Sequence, residues 1–188
     1  MEVGTKRMNG LELRFELERL HGESYGWASC CCGRNAGLAD DVLQVVYLKV
    51  LGGNARYAGR STFKTWLFSV IRRTAIDERR RRLRHRLLLQ RYSPAVACVD
   101  SPETAASRSE AAEAFRAALA SLPARQQQVL HLVFYHDLTV SAAAEVMGVS
   151  LGSARTHYDR AKRKMRDRLS EKNYAIGPGR AATPGVVL

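Results

Sequence analysis

The chain has 188 residues, 30 Lys and Arg against 18 Asp and Glu, and a formal net charge of +12. Such an excess favours a polyanionic partner, nucleic acid or an anionic membrane surface. No apolar stretch approaches the roughly 20 residues a membrane-spanning helix needs, and Met1 to Arg19 is too mixed and charged for a secretory signal. The expectation is therefore a cytoplasmic protein whose four cysteines stay reduced.

The first predicted helix begins near Leu11, with Leu13, Leu17 and Leu20 at helical spacing. A second runs from about Glu23 through Cys30, Cys31 and Cys32 and closes at Gly33. Consecutive side chains on a helix point about 100° apart, so the three cysteines cannot readily share one ion, and no second Cys pair at zinc-site spacing follows. They read as small buried hydrophobes. The third helix spans about Leu38 to Leu51. Leu43, Val46, Tyr47 and Val50 form its apolar stripe, while Asp41, Gln44 and Leu48 share another face. Gly52 and Gly53 stop it, and a loop of residues 54–60 follows, containing Arg56 and Tyr57.

Ser61 or Thr62 can cap the fourth helix, which carries Phe63, Trp66, Leu67, Val70, Ile71 and Ile76 before the run Arg79 to Arg82. Trp66, on an apolar helical face, reads as core. Ser93, Pro94, Asp100, Ser101 and Pro102 mark residues 90–107 as a flexible linker. Helical periodicity resumes near Glu110, with Ala111, Phe115, Ala118, Leu119 and Leu122 on one face. Pro123 suits the first turn of a helix holding Val129, Leu130, Val133 and Phe134, which breaks near His136 and Asp137.

The densest local signal is Leu138 to Lys164. Thr139 can cap a short helix, Val140 to Met147, whose inner face holds Ala143, Ala144 and Met147. Gly148 supplies a left-handed turn, Val149 plugs the corner, and Ser150 caps the next helix. This is the chemistry of a helix-turn-helix, whose second helix enters the major groove. Its first turns expose Ser153, Arg155, Thr156, His157 and Arg160, which can donate to base edges or phosphates. Arg163, Lys164 and Arg166 extend the basic surface along the backbone. Pro178, Gly179, Pro184 and Gly185 mark the end of the chain as a disordered tail. No nucleophile elbow, phosphate loop or carboxylate cluster is present, and His131 and His136 lie off the one-turn spacing of a helical metal site. The expectation is a non-enzyme with no cofactor and no metal.

Several stretches together resemble a known family. Ala39-Asp40-Asp41-Val42-Leu43-Gln44 and Val46-Tyr47-Leu48-Lys49-Val50 resemble region 2 of bacterial sigma factors. So do Ser61-Thr62-Phe63-Lys64-Thr65-Trp66-Leu67 and Ala75-Ile76-Asp77. Leu122-Pro123-Ala124-Arg125, Gly152-Ser153-Ala154-Arg155-Thr156 and Arg160-Ala161-Lys162 resemble region 4. The order and separation are those of the extracytoplasmic-function (ECF) sigma factors, which keep only regions 2 and 4. The chain departs from the family's usual residues at Val45 (Glu), Arg73 (Asn), Ala142 (Glu) and His157 (Arg).

The resemblance implies an all-α protein of two small helical domains. Residues 10–89 form the region 2 bundle, 90–107 a flexible linker, 108–172 the region 4 helix-turn-helix and 173–188 the tail. It implies a sigma factor that binds core RNA polymerase and directs promoter recognition, −10 melting and initiation. Asp41, Gln44 and Leu48 would dock on polymerase. Arg56, Tyr57, Lys64, Arg72, Arg73, Arg79 and Arg80 would hold the −10 single strand. Ser153, Arg155, Thr156, His157, Arg160 and Lys164 would read the −35 duplex. Many members of the family are held inactive by an anti-sigma factor, and exposed apolar residues would suit one here. The alternative is a helix-turn-helix regulator that binds DNA without being a polymerase subunit.

Overall fold

A computed structural model describes residues 8–90 and 110–170, and these form eight α-helices. The first half holds α1 (Gly10–Arg19), α2 (His21–Cys31), α3 (Ala36–Leu51) and α4 (Phe63–Gln90). The second holds α5 (Glu110–Ala120), α6 (Ala124–Phe134), α7 (Val140–Met147) and α8 (Leu151–Ser170). The expected all-α fold is present. The expected tail and nearly all of the expected linker lie outside the described residues; Gln90, the linker's first residue, is the last of α4.

Local chemistry sets the helix starts. Asn9 accepts from the Glu12 amide at 2.8 Å while the Glu12 carboxylate accepts from the Asn9 amide at 2.9 Å, a reciprocal cap for α1. Asn35 caps α3 by accepting from the Leu38 amide at 2.8 Å. Pro123 sits at the cap of α6 with φ −57°, one position earlier than the sequence suggests. The expected stripe of α3 is buried at Leu43, Val46 and Val50 and half-buried at Tyr47.

In the first half α2, α3 and the opening turns of α4 pack on one another, and α1 lies across α2 and α3. Trp27, Leu67, Phe68 and Ile71 are fully buried in this core, joined by Leu20, Val42 and Val46. Burying such side chains removes about 25 cal/mol of unfavourable hydration per Å² of apolar surface. In the second half α8 buries Ala154, Ala161, Met165 and Leu169 against α5, α6 and α7. The small residues Ala143, Ala144, Ala154 and Ala161 let the backbones of α7 and α8 approach their neighbours closely. The halves also touch: α7 packs on α4 and α6 on α2.

Cys31 and Cys32 are buried and Cys30 is half-buried, in keeping with their reading as small hydrophobes. Burial pushes the Cys30 thiol up to about 12 and the Cys32 thiol up to about 11, and raises Cys31 well above its ordinary value too. Thiols held that high are poor nucleophiles and poor metal ligands at neutral pH.

Candidate polymerase and nucleic-acid interfaces

The three sets of side chains singled out from the sequence lie on α3, on the loop after it with α4, and on α8. On α3, Asp41, Gln44 and Leu48 are all exposed on one face, opposite the buried stripe. Leu48 is 73% exposed although every neighbouring apolar residue of α3 from Val42 to Val50 is buried or half-buried. Asp41 accepts from Arg82 of α4 at 2.6 Å, so its carboxylate is positioned rather than loose.

The loop of residues 54–61 is pinned by aromatic packing. The Tyr57 ring meets Phe63 edge-on with centroids 5.5 Å apart and tilts against Trp66 at 5.4 Å; Phe63 and Trp66 are 5.3 Å apart. The Tyr57 hydroxyl donates to the Ser61 carbonyl. Arg56 is exposed and its Nε donates to the Gly53 carbonyl at 3.2 Å. Trp66 corrects the sequence reading: it is half-buried in this trio, not deep in the core. Its face of α4 looks onto the loop, and the deep position between helices is taken by Trp27. Trp27 donates from Nε1 to the Phe68 carbonyl at 3.0 Å, a partner that sequence spacing alone does not reveal.

The cations of α4 differ in their freedom. Arg73, Arg79 and Arg80 are exposed, whereas Lys64 and Arg72 are half-buried. Lys64 pairs with Glu23 of α2 and donates to the His136 carbonyl at 2.9 Å. Arg72 donates from Nε to the Gln128 side-chain oxygen at 3.1 Å. Beside them lie two histidines that the sequence separates but the fold joins. A left-handed Asp137 (φ 53°) ends the turn after α6, and the His131 and His136 rings stand 4.9 Å apart. Burial lowers both, His131 to about 4. For Glu23, burial works against the charge, yet Lys64 and then His136 outweigh it and hold the carboxyl below its usual range. Among the described residues no three His, Cys, Asp or Glu side chains converge as a metal site would require.

The helix-turn-helix forms as its residues suggest. Thr139 accepts from the Ala142 amide at 3.1 Å and caps α7. Ala142 occupies the position from which a Glu would reach back, so the cap is one-sided. Gly148 ends α7 in the left-handed region, φ 62° and ψ 41°. Ser150 accepts from the Ser153 amide at 3.2 Å and opens α8. An added Cβ at Gly148 would meet nothing within 4 Å, so any cost there is backbone strain alone. Gly148→Ala should lower stability by about 1 kcal/mol in urea denaturation, without altering the packing of α7 on α8.

On α8, Ser153, Arg155, Thr156, Arg160 and Lys164 are exposed and His157 is half-buried. Ser150 donates to the Ser153 hydroxyl at 2.9 Å, and Thr156 donates back to the Gly152 carbonyl at 3.0 Å. Lys162, in contrast, covers the Tyr158 ring at 4.4 Å and pairs with Asp159 at 3.4 Å. Arg155 is exposed in the first turns of α8, beside the buried Ala154.

Two helical units, one ending in a helix-turn-helix with a basic second helix, define a DNA-binding transcription protein. Comparison with known proteins gives the rest. Residues 17–85 match the family model of sigma-70 region 2 and residues 118–167 that of sigma-70 region 4, together more than half of the chain. The RNA polymerase sigma factor YlaC of Bacillus subtilis is 28% identical over 135 residues, covering 71% of this chain and 78% of the relative. The ECF RNA polymerase sigma factor EcfG of Rhodopseudomonas palustris is 28% identical over 131 residues, 70% of this chain and 71% of the relative. Among solved structures, the sigma factor RpoE of Bartonella quintana, in complex with the anti-sigma factor NepR, has the same fold. It superposes with a TM-score of 0.65 at 20% identity, over 85% of this chain and 97% of that one.

The chain belongs to the sigma-70 family, as an ECF RNA polymerase sigma factor. Such a subunit binds core RNA polymerase and promoter DNA and directs promoter recognition and transcription initiation. It is a regulatory subunit. No helix among the described residues is long and apolar enough to cross a membrane.

Proposed function

We propose that three separate surfaces of this chain divide the work of initiation. Asp41, Gln44 and Leu48 dock on core polymerase. Arg56, Tyr57, Lys64, Arg72, Arg73, Arg79 and Arg80 receive the −10 single strand. Ser153, Arg155, Thr156, His157, Arg160 and Lys164 read the −35 duplex. The observation that carries this reading is the exposure of Leu48 on the same face of α3 as Asp41 and Gln44, while the other apolar residues from Val42 to Val50 are buried or half-buried. An apolar side chain so presented, with polar groups around it, suits the centre of a protein interface. The working units are residues 10–89 and 108–172, joined by a linker over 90–107 and followed by a tail over 173–188. The protein acts in the cytoplasm through binding energy, without covalent catalysis.

Among solved structures of similar fold, RpoE is in complex with the anti-sigma factor NepR and CnrH with the cytosolic domain of CnrY. Leu11 and Phe15 of α1 are exposed here, which gives this chain apolar surface for a partner of that kind.

The reading is tested by adding the protein to core polymerase with a pool of promoter fragments and measuring initiation. Promoter-directed transcripts and a stable complex are expected; their absence defeats it. Arg155→Ala should weaken −35 duplex binding about 5- to 150-fold, the 1–3 kcal/mol of a bidentate base contact, and leave polymerase association unchanged. A titration of labelled −35 duplex beside a polymerase pull-down checks both.

A further inference from the structure

A cleft of about 530 Å³ opens where α2, α5 and α6 meet, and none of the residues assigned above to polymerase or DNA lines it. Gln127, His131 and Tyr135 face it at four-residue intervals, and the His131 and Tyr135 rings stack there with centroids 4.9 Å apart. Two features of the lining are unfavourable to the fold by themselves. Gly26 lies in the middle of α2, where glycine weakens a helix, and an added Cβ there would meet nothing within 4 Å. Arg34 is a non-glycine residue in the left-handed region, φ 65°, directly after the left-handed Gly33. Backbone held at such a cost collects at binding sites. Gly26 keeps one wall of the cleft bare, and the turn at Arg34 brings a guanidinium to it. Arg116 of α5 adds a second cation, and no Asp or Glu among the described residues lines the cleft. The Arg34 charge is felt inside. Burial first, then His136 and Arg34, lower His131, while the same guanidinium opposes the upward push of burial on Cys30.

We propose that this cleft binds a small planar anion, an aromatic ring that carries a carboxylate or a phosphate. Its volume lies in the range of about 300–1,000 Å³ usual for small-molecule sites. The guanidinium groups of Arg34 and Arg116 match either anion, since the planar fork of arginine pairs with both in bidentate fashion. The stacked His131 and Tyr135 rings offer a flat wall for the ring of the ligand, and a His131 lowered to about 4 is neutral at pH 7. A nucleic-acid strand needs a continuous open track, whereas helices close this cleft on three sides, which suits a single small molecule. An aromatic acid and a nucleoside monophosphate share the required chemistry, and the two are told apart by titration.

The test uses the full chain. Benzoate with its neutral counterpart benzamide, and AMP with adenosine, are titrated calorimetrically at about 0.15 M salt. At least one anion should bind once per chain, with a dissociation constant below about 1 mM and about tenfold or more tighter than its neutral counterpart. Which of them does so assigns the anion as carboxylate or phosphate. The bound anion should also protect Cys30, which lines the cleft, from N-ethylmaleimide, with the buried Cys31 as internal reference in fragment mass spectrometry. Arg34→Gln and Arg116→Gln should each weaken binding about tenfold. Gly26→Phe, which puts a side chain into the cleft, should remove binding at unchanged helix content. Arg14→Gln, at an exposed site on α1 outside the cleft, should change binding by less than about twofold. The site is overturned if neither anion binds, if Arg14→Gln weakens binding as much as Arg34→Gln does, or if the bound anion leaves Cys30 labelling unchanged. Were Gly26→Phe to lose helix content, Arg116→Gln decides in its place. Protection of Cys30 in the chain without added anion, lost on Asp100→Asn with Glu103→Gln, would give the cleft to the chain's own acidic segment and overturn the free ligand.

Discussion

Leu48→Asp should abolish stable binding to core polymerase, with a loss of at least about 30-fold in affinity, while the protein stays folded. Truncation of an apolar anchor at the centre of an interface commonly costs 2 kcal/mol or more, about 30-fold, and a buried unpaired carboxylate adds its own desolvation cost. The fold should tolerate the change because Leu48 is 73% exposed and takes no part in the buried cluster. Asp lowers helix propensity by only about 0.5 kcal/mol at such a site. The surface proposed to read the −35 duplex is on α8, in the other half of the chain, so duplex binding should be retained. A pull-down with core polymerase, a duplex titration and a urea melt on one preparation check all three statements. Retained polymerase binding would place docking elsewhere on the molecule. Loss of all three properties would show that α3 needs Leu48 to fold.

Trp27→Ala has the largest expected effect on stability, about 3–5 kcal/mol. Trp27 has no exposed surface, stacks on Phe68 at 6.1 Å and donates to the Phe68 carbonyl. The substitution leaves a cavity and removes the added hydrogen bond to the Phe68 carbonyl. Most single domains have only 5–15 kcal/mol to lose, so the variant should be marginal at 37 °C. Trp66→Ala provides the contrast. Trp66 is half-buried against Tyr57 and Phe63, so its loss should cost less stability and should free the loop of residues 54–61. Denaturant midpoints of the two variants decide the order; a more costly Trp66 would mean that the loop trio, and not the α2–α4 seam, is the centre of the first half.

That contrast also shows which features sequence reading reaches. The helix-turn-helix was legible because its determinants are local: a Thr139 cap, a glycine at the one left-handed position and a serine cap three residues before Ser153. The face of α3 was legible because a 3.6-residue period separates Leu43, Val46 and Val50 from Asp41, Gln44 and Leu48. The importance of Trp27 was not, because most of α2 is Gly, Ser, Ala and Cys and the helix shows almost no amphipathic signal. Its partner lies 41 residues away. The partners of Lys64 were equally hidden, since the His136 carbonyl is 72 residues distant and comes within reach only through the left-handed turn at Asp137. Composition identified the cations as available for DNA; only the fold shows that two of them are already engaged.

The 28 residues of α4 make a rod about 42 Å long, of which only the first half is embedded in the core. From Arg79 to Leu88 every side chain is exposed, and six of those ten are arginines. Like charges three and four residues apart on a helix repel, by a few tenths of a kcal/mol per pair, and dissolved salt screens that repulsion. The far end of α4 is therefore a segment whose own helicity should rise with ionic strength, and rise further when phosphates take the place of salt. Ordering of that end is then coupled to the arrival of a polyanion, so part of the free energy of DNA binding is used to complete a helix, and salt affects it twice: once by competing for the phosphates, and once by stiffening the rod beforehand.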